Sequence, residues 1–329
     1  MKKLFVFAAS AMMVFASCTD NEIVYQNETP QEIGLFSVAN KMTRAAIEGS
    51  EFTHANMVVS AYLAACEGAN PASYFGKTKF TKDNEAAYFT AGKYWPIQNS
   101  TLNFLAVAPE VGSAVTTDFA SNVATVTVAN NETNQYDVMY AVGQGEKSGN
   151  IAPTKVDMEF QHALAWVNFT FSASSSGIKI NSVTVNDAKY NGTLTVTSTN
   201  YTAIGTQAVT AAWNNDQATT NAQVVPEQQA VTLTKDAAAI TWGKGLLVVP
   251  CTATNFVINY SVTVGNDTHT YDYTYSTNLT WEMGKKYYYN ISMGLQEIQI
   301  NPSVQLWNDA DGDGVEEDGE KNDTGITIQ

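Results

Sequence analysis

The sequence predicts an all-β protein built of β-sandwiches, and three observations carry that reading. Charged residues make up only 15% of the 329-residue chain, while threonine, asparagine, valine and tyrosine are abundant. β-Branched and aromatic side chains suit a pleated, half-buried surface better than a helix. Short runs that alternate apolar and polar residues recur, among them "VATVTVAN", "IKINSVTVND", "GTLTVTS", "NFVINYSVTVGND", "HTYDYTYS" and "KKYYYNISM", with Asn, Asp and Gly turn signals between them. Many short strands joined by such turns argue for sandwiches. Helical periodicity is hard to find; "HANMVVSAYLAAC" is the best candidate and reads equally well as a strand.

The chain begins with Lys2 and Lys3 ahead of "LFVFAASAMMVFA". This is the positive start and apolar stretch of an export signal, too short to span as a stable helix. It ends in "FASC", which resembles the lipobox of bacterial lipoproteins. The resemblance implies a signal peptide over residues 1–17, cleavage before Cys18, and acylation of Cys18 with palmitate-type chains. Several such chains anchor strongly, since each buried methylene contributes about 0.8 kcal/mol. A secretory signal with a chance cysteine is the alternative. The following "TDNE" resembles the surface-export signal of lipoproteins in gut and oral Gram-negative anaerobes.

"NKMTRAAIEG" holds Arg44, the chain's one arginine. It is either a surface accident or an address read by a protease, because a deep anionic pocket selects a guanidinium sharply. Cleavage between Arg44 and Ala45 would release residues 18–44 as a propeptide. That segment contains "EIGLFSVAN", which reads as a short strand able to cover a sheet edge while attached. Farther along, "GEKSGNIAPTK" is rich in Gly, Ser and Pro and poor in apolar residues. It places a domain boundary after residue 154, giving sandwiches over 45–154 and 155–296.

Net charge is −15, which argues against nucleic acid as a partner. Cys66 and Cys251 lie far apart in sequence and read as buried free thiols rather than a disulfide. Catalytic patterns are missing: His54, His162 and His269 show no metal spacing, and no phosphate loop or nucleophile elbow occurs. No catalysis and no cofactor are therefore expected. His162 in "FQHALAWVNFTF" reads as a structural histidine, and Tyr287, Tyr288 and Tyr289 as an aromatic strand rather than a sugar platform.

Residues 297–329 look like a C-terminal extension. In "EIQINPSVQL" the even positions Ile298, Ile300, Pro302, Val304 and Leu306 form one apolar face of an extended strand, and the odd positions are polar. Ile326 and Ile328 repeat the pattern at the end. Pro302 lacks an amide donor, which suits an edge or an inserted strand. An ordinary last strand is the alternative. Between the two segments, Asp309, Asp311, Asp313, Gly314 and Glu320 match the spacing of a calcium loop. The flanks are not helical and Glu316 stands where an aliphatic is usual, so a solvated acidic turn competes with calcium.

Several ordered segments together resemble the fimbrillins, the subunits of type V pili in Bacteroides-like bacteria. They are "KYWPIQNSTLNFLAVAP", "YDVMYA", "FQHALAWVNFTF" followed by "IKINSVTVND", and "MGKKYYYNISM". The resemblance implies two transthyretin-like β-sandwich domains and export as a lipoprotein tethered to the outer membrane. It also implies trimming by an arginine-specific protease at Arg44 and polymerisation with other pilus subunits, chiefly copies of itself, by strand exchange. Ile298, Ile300, Val304, Leu306, Ile326 and Ile328 are then the donor side chains. The expected function is a structural stalk pilin of a cell-surface fimbria. A membrane-anchoring or tip subunit of the same pilus, and a glycan-binding surface lipoprotein, are the alternatives.

Overall fold

The computed structural model describes residues 30–38, 54–64, 72–83, 87–97, 100–110, 115–120, 122–130, 135–148, 151–153, 155–199, 208–214, 220–224, 230–253, 255–276 and 279–307. Among these residues every regular element is a strand, so the protein is all-β as its composition requires. Nine strands precede residue 163: β1 (Leu35–Val38), β2 (Asn56–Leu63), β3 (Ala72–Lys82), β4 (Ala87–Phe89), β5 (Ser100–Ala108), β6 (Val115–Ala120), β7 (Val123–Ala129), β8 (Met139–Lys147) and β9 (Val156–His162). The ambiguous "HANMVVSAYLAAC" supplies β2, whose residues 57–62 are all buried.

Seven of these strands close a barrel in the order β1-β4-β3-β2-β5-β8-β9. Its core gathers Phe75, Phe80, Tyr88, Trp95, Phe104 and Phe160 around Ile33 and Leu35. Two glycines let the wall close tightly. A Cβ on Gly143 would lie 2.3 Å from the Met158 sulfur and 2.6 Å from the Asp157 carbonyl oxygen, and one on Gly145 would lie 2.7 Å from Trp95 and from Val156. Only glycine permits such close backbone approach.

The second half contributes β10 (Ala165–Ala173), β11 (Ile178–Lys189), β12 (Asn191–Thr199), β13 (Ala208–Asn214), β14 (Thr220–Val224), β15 (Val231–Thr232), β16 (Ile240–Thr241) and β17 (Leu246–Val248). Then come β18 (Cys251–Ala253), β19 (Asn255–Val264), β20 (Asp267–Tyr275), β21 (Leu279–Trp281), β22 (Lys285–Met293) and β23 (Ile298–Leu306). One sheet runs β16-β10-β22-β23, with β17 also on β10, and another runs β14-β11-β19-β20, with β15 also on β11. Phe169, Phe171, Ile180, Trp242, Phe256, Trp281 and Tyr289 fill a common core between them, the packing of a sandwich. Tyrosines alternate as a strand requires. Tyr287 and Tyr289 are buried, while Tyr288 is half-buried against Trp166, with ring centroids 5.9 Å apart. Cys251 is a buried free thiol whose pKa burial pushes up; Cys66 lies outside the described residues.

Two features depart from the sequence reading. The stretch 145–155 is not a linker: it connects β8 to β9 as a hairpin, and β9 is a barrel strand. The chain leaves the barrel at Ala163 and Leu164 instead. Glycine, serine and proline mark hairpin connections and linkers alike, so composition alone cannot separate them. The halves are also not independent. The hairpin β6–β7 from the first half and β12–β13 from the second join in one four-stranded sheet, β13-β12-β7-β6, through a β7–β12 ladder from Val123↔Thr197 to Ala129↔Asn191. A third core lies beneath it, with Leu105, Val107, Tyr140, Leu194, Leu247 and Trp307 drawn from both halves.

Candidate assembly site

β1 belongs to the segment ahead of Arg44, and it is built into the barrel wall. It runs parallel to β9 over four positions, Leu35↔Val156 to Val38↔Glu159, and antiparallel to β4 at Leu35↔Tyr88 and Phe36↔Ala87. The preceding residues extend the contact. The Ile33 amide donates to the Lys93 carbonyl at 2.9 Å, the Trp95 amide to the Gln31 carbonyl at 2.8 Å, and the Val156 amide to the Gly34 carbonyl at 2.9 Å. The Ala152 amide donates to Gln31 Oε1 at 2.9 Å. Alternation sends Ile33 and Leu35 inward, where both are 0% exposed. Phe36 faces outward beneath the Lys155 ammonium, 4.4 Å from the ring centroid.

This short strand is what turns an open sheet into a barrel. Without it, β9 and β4 would each present an unpaired edge beside the two pits that Ile33 and Leu35 fill. Each of those side chains stabilises the closed form by roughly 1.5–3 kcal/mol through burial. Arg44 and Ala45 follow β1 within a few residues of sequence and lie outside the described residues, as does Cys18.

Toward the other end, β23 is an edge strand among the described residues. It pairs antiparallel with β22 from Met293↔Ile298 to Lys285↔Leu306. Ile298, Ile300 and Val304 are half-buried and pack on the sandwich core, whereas Glu297, Gln299, Asn301 and Ser303 are exposed. The alternation read from sequence is thus present, with Pro302 on an edge. Residues 298–306 are not a free extension, however: they complete their own sheet. Period-two patterning says which face is apolar but not whose sheet the strand joins. Leu306 lies in the strand opposite Lys285. Ile326, Ile328, Asp309, Asp311, Asp313 and Glu320 lie outside the described residues, and the calcium reading rests on sequence spacing alone.

Trp307 pins the end of β23 and was not singled out by sequence. Its amide donates to the Gly284 carbonyl at 2.8 Å. Its ring is buried and stacks on His162, with centroids 4.0 Å apart and planes at 11°. His162 Nδ1 in turn contacts the Asp137 carboxylate at 2.9–3.0 Å. His162 is therefore a structural histidine, as its apolar surroundings in the sequence imply, and Asp137 is the partner that sequence could not supply. Close by, burial lowers the pKa of His54; the Asp137 charge and a hydrogen bond oppose the shift, and the His162 charge adds to it. His269 is the third residue of β20 and is exposed. Among the described residues no group of three or more His, Cys, Asp or Glu side chains could hold a metal ion.

The described residues form a barrel closed by a short first strand, joined through a shared sheet to a sandwich that ends on β23. The sequence matches the fimbrillin-like family over residues 43–307, most of the chain, and the protein belongs to that family. No curated protein matches it. Among solved structures, a Bacteroides ovatus protein assigned to cell adhesion shares 13% identity, covering 86% of this chain and 99% of that one at a TM-score of 0.51; it shares the fold. A Bacteroides uniformis protein also assigned to cell adhesion has 19% identity, 84% and 98% coverage and a TM-score of 0.47. A fimbrial assembly protein of Parabacteroides distasonis has 14% identity, 85% and 97% coverage and a TM-score of 0.38.

Proposed function

We propose that the protein is a structural subunit of a cell-surface fimbria, the stalk pilin. On this reading it is exported as a lipoprotein on Cys18, held at the outer membrane, cut after Arg44 by an arginine-specific protease, and polymerised by strand exchange. The observation that carries the reading is the seat of β1. A four-residue strand closes the barrel, with Leu35 on its inner side and Ile33 just ahead of it both fully buried, and the chain's only arginine stands just beyond it. Cleavage would cut the covalent tie between β1 and β2. Departure of β1 would then leave a slot with two hydrogen-bonding edges and an apolar floor, which is the geometry strand addition uses.

The donor comes from the extension that starts at residue 297. Because β23 already closes its own sheet, donating Ile298, Ile300, Val304 and Leu306 would open the sandwich. The second apolar pair, Ile326 and Ile328, is the donor that would leave β23 in its own sheet. Fibres of this kind need no catalysis and no cofactor, since apolar burial and strand pairing hold the joint.

N-terminal sequencing of protein sheared from cells tests the processing step. Ala45 is the expected first residue, and Arg44→Ala is expected to abolish polymer ladders on non-boiled gels. Assembled fibres that retain residues 19–44 would overturn the proposal.

A further inference from the structure

We propose that β20 is a pairing edge for the β20 of a second copy of this chain, giving a two-fold dimer of subunits and side-by-side association of fimbriae built from them. β20 ends its sheet. It pairs with β19 from Val264↔Asp267 to Phe256↔Tyr275, and among the described residues nothing pairs with its other side. Its residues 267–272 are all exposed. Natural edges are usually blunted by lysine, proline, a bulge or short length. β20 has none of these: it is nine residues long, its register with β19 is unbroken, and its only acidic residues are Asp267 and Asp272.

Ladder geometry fixes which backbone groups are free. Val264 and Asp267 flank the two-residue turn Gly265–Asn266, with Gly265 at φ 64°. Their N–H and C=O groups face each other across the hairpin. Alternation then turns those of Thr268, Thr270, Asp272 and Thr274 outward. One face of the projecting hairpin is aromatic and apolar. Tyr260 and Tyr271 lie with ring centroids 5.6 Å apart, Val262 pairs with His269, and Tyr271 and Val264 are 48% and 64% exposed. The other face is a polar ladder: Ser261 with Thr270 at 3.1 Å, Thr263 with Thr268 at 2.9 Å, and Asn259 Nδ2 donating to Asp272 Oδ1 at 2.6 Å.

The pattern is self-complementary. Tyr271 is the midpoint of β20, so an antiparallel pair with its two-fold axis there overlaps the whole strand. Thr270 then meets the second copy's Asp272, His269 meets its Tyr273, and Tyr271 meets Tyr271, so the aromatic face runs on across both copies. No like charges are opposed. Moving the axis to Asp272 would set two carboxylates against each other, which is destabilising. A single ladder of this kind is a weak contact. A fimbria repeats it at every subunit, and linked repeats multiply weak contacts; only this last consequence rests on the fimbrial reading.

Sedimentation equilibrium of the full chain carrying Arg44→Ala, up to about 1 mM, tests the dimer with strand exchange out of play. The wild-type edge is expected to dimerise with concentration, and more strongly as salt screens the net negative charge of each copy, −15 before Arg44 is replaced. Thr270→Asp, facing the second copy's Asp272 twice, is expected to weaken dimerisation about tenfold, and Thr270→Lys to strengthen it. Thr270→Pro removes an outward N–H that the hairpin itself does not use, and is expected to abolish pairing. Circular dichroism checks that each variant is folded; if the proline variant is not, the opposed Asp and Lys responses still decide. A monomer at all concentrations, or association indifferent to the Asp and Lys changes, overturns the proposal.

Discussion

The first and last described strands, β1 and β23, close their halves in opposite ways. β1 is only four residues long but has a neighbour on each side and two adjoining side chains at zero exposure. β23 is nine residues long, has one neighbour among the described residues, and buries its apolar face only partly. Strand length therefore does not measure how much a strand contributes. Number of neighbours and depth of burial do, and by that measure the short strand is the more consequential closure. On the assembly proposed above, such a strand would seal the subunit until one cut frees it.

The comparison breaks most sharply at Leu35. Leu35→Asp places an unpaired carboxylate in the barrel core, which costs several kcal/mol or keeps the group protonated. The uncut chain is expected to lose its cooperative thermal transition. Melting at the wild-type temperature would show that β1 does not close the barrel.

Truncation gives the graded version. Leu35→Ala is expected to lower unfolding free energy by about 2–5 kcal/mol, read from denaturant midpoints. Val304→Ala, on the half-buried face of β23, is expected to cost about 1 kcal/mol. Exchanging Ser303 and Gln305 for Asp on the opposite face should change stability by no more than about 0.5 kcal/mol per site. A reversed order for Leu35 and Val304 would invert the contrast between the strands.

The smallest effect belongs to the junction between the halves. Burial depresses the His54 pKa below its ordinary 6.5 in the folded chain, so the unfolded chain binds the proton first as pH falls. The contribution of neutral His54 is fully present above about pH 6.5 and declines as pH drops toward the lowered folded value. His54→Gln is expected to flatten the pH dependence of the denaturant midpoint in that window. An unchanged profile would place the pH sensitivity on other groups.

Much of this architecture is legible in the sequence, and the rest is hidden for identifiable reasons. Alternation in "VATVTVAN" and "GTLTVTS" announces β7 and β12, and "EIGLFSVAN" announces β1. Period two assigns faces, not partners, so the pairing of β7 with β12 across the two halves has no local signal. The apolar run around His162 marks it as structural, but Asp137 and Trp307 come from distant parts of the chain, and only the fold brings them together. The hairpin at 145–155 reads as a linker because turn chemistry is the same in both settings. Arg44 stands out by being alone, a property of composition that no local pattern could provide.

The shared sheet has a mechanical consequence. Two bodies joined by a flexible linker would swing when pulled from opposite ends. Here an antiparallel ladder of seven residue pairs, β7 on β12, and a common core tie them. A tensile load has to shear several backbone hydrogen bonds together before the halves can separate. Each subunit should accordingly behave as one stiff link of fixed length, and any bending of a fibre should concentrate at the joints between links.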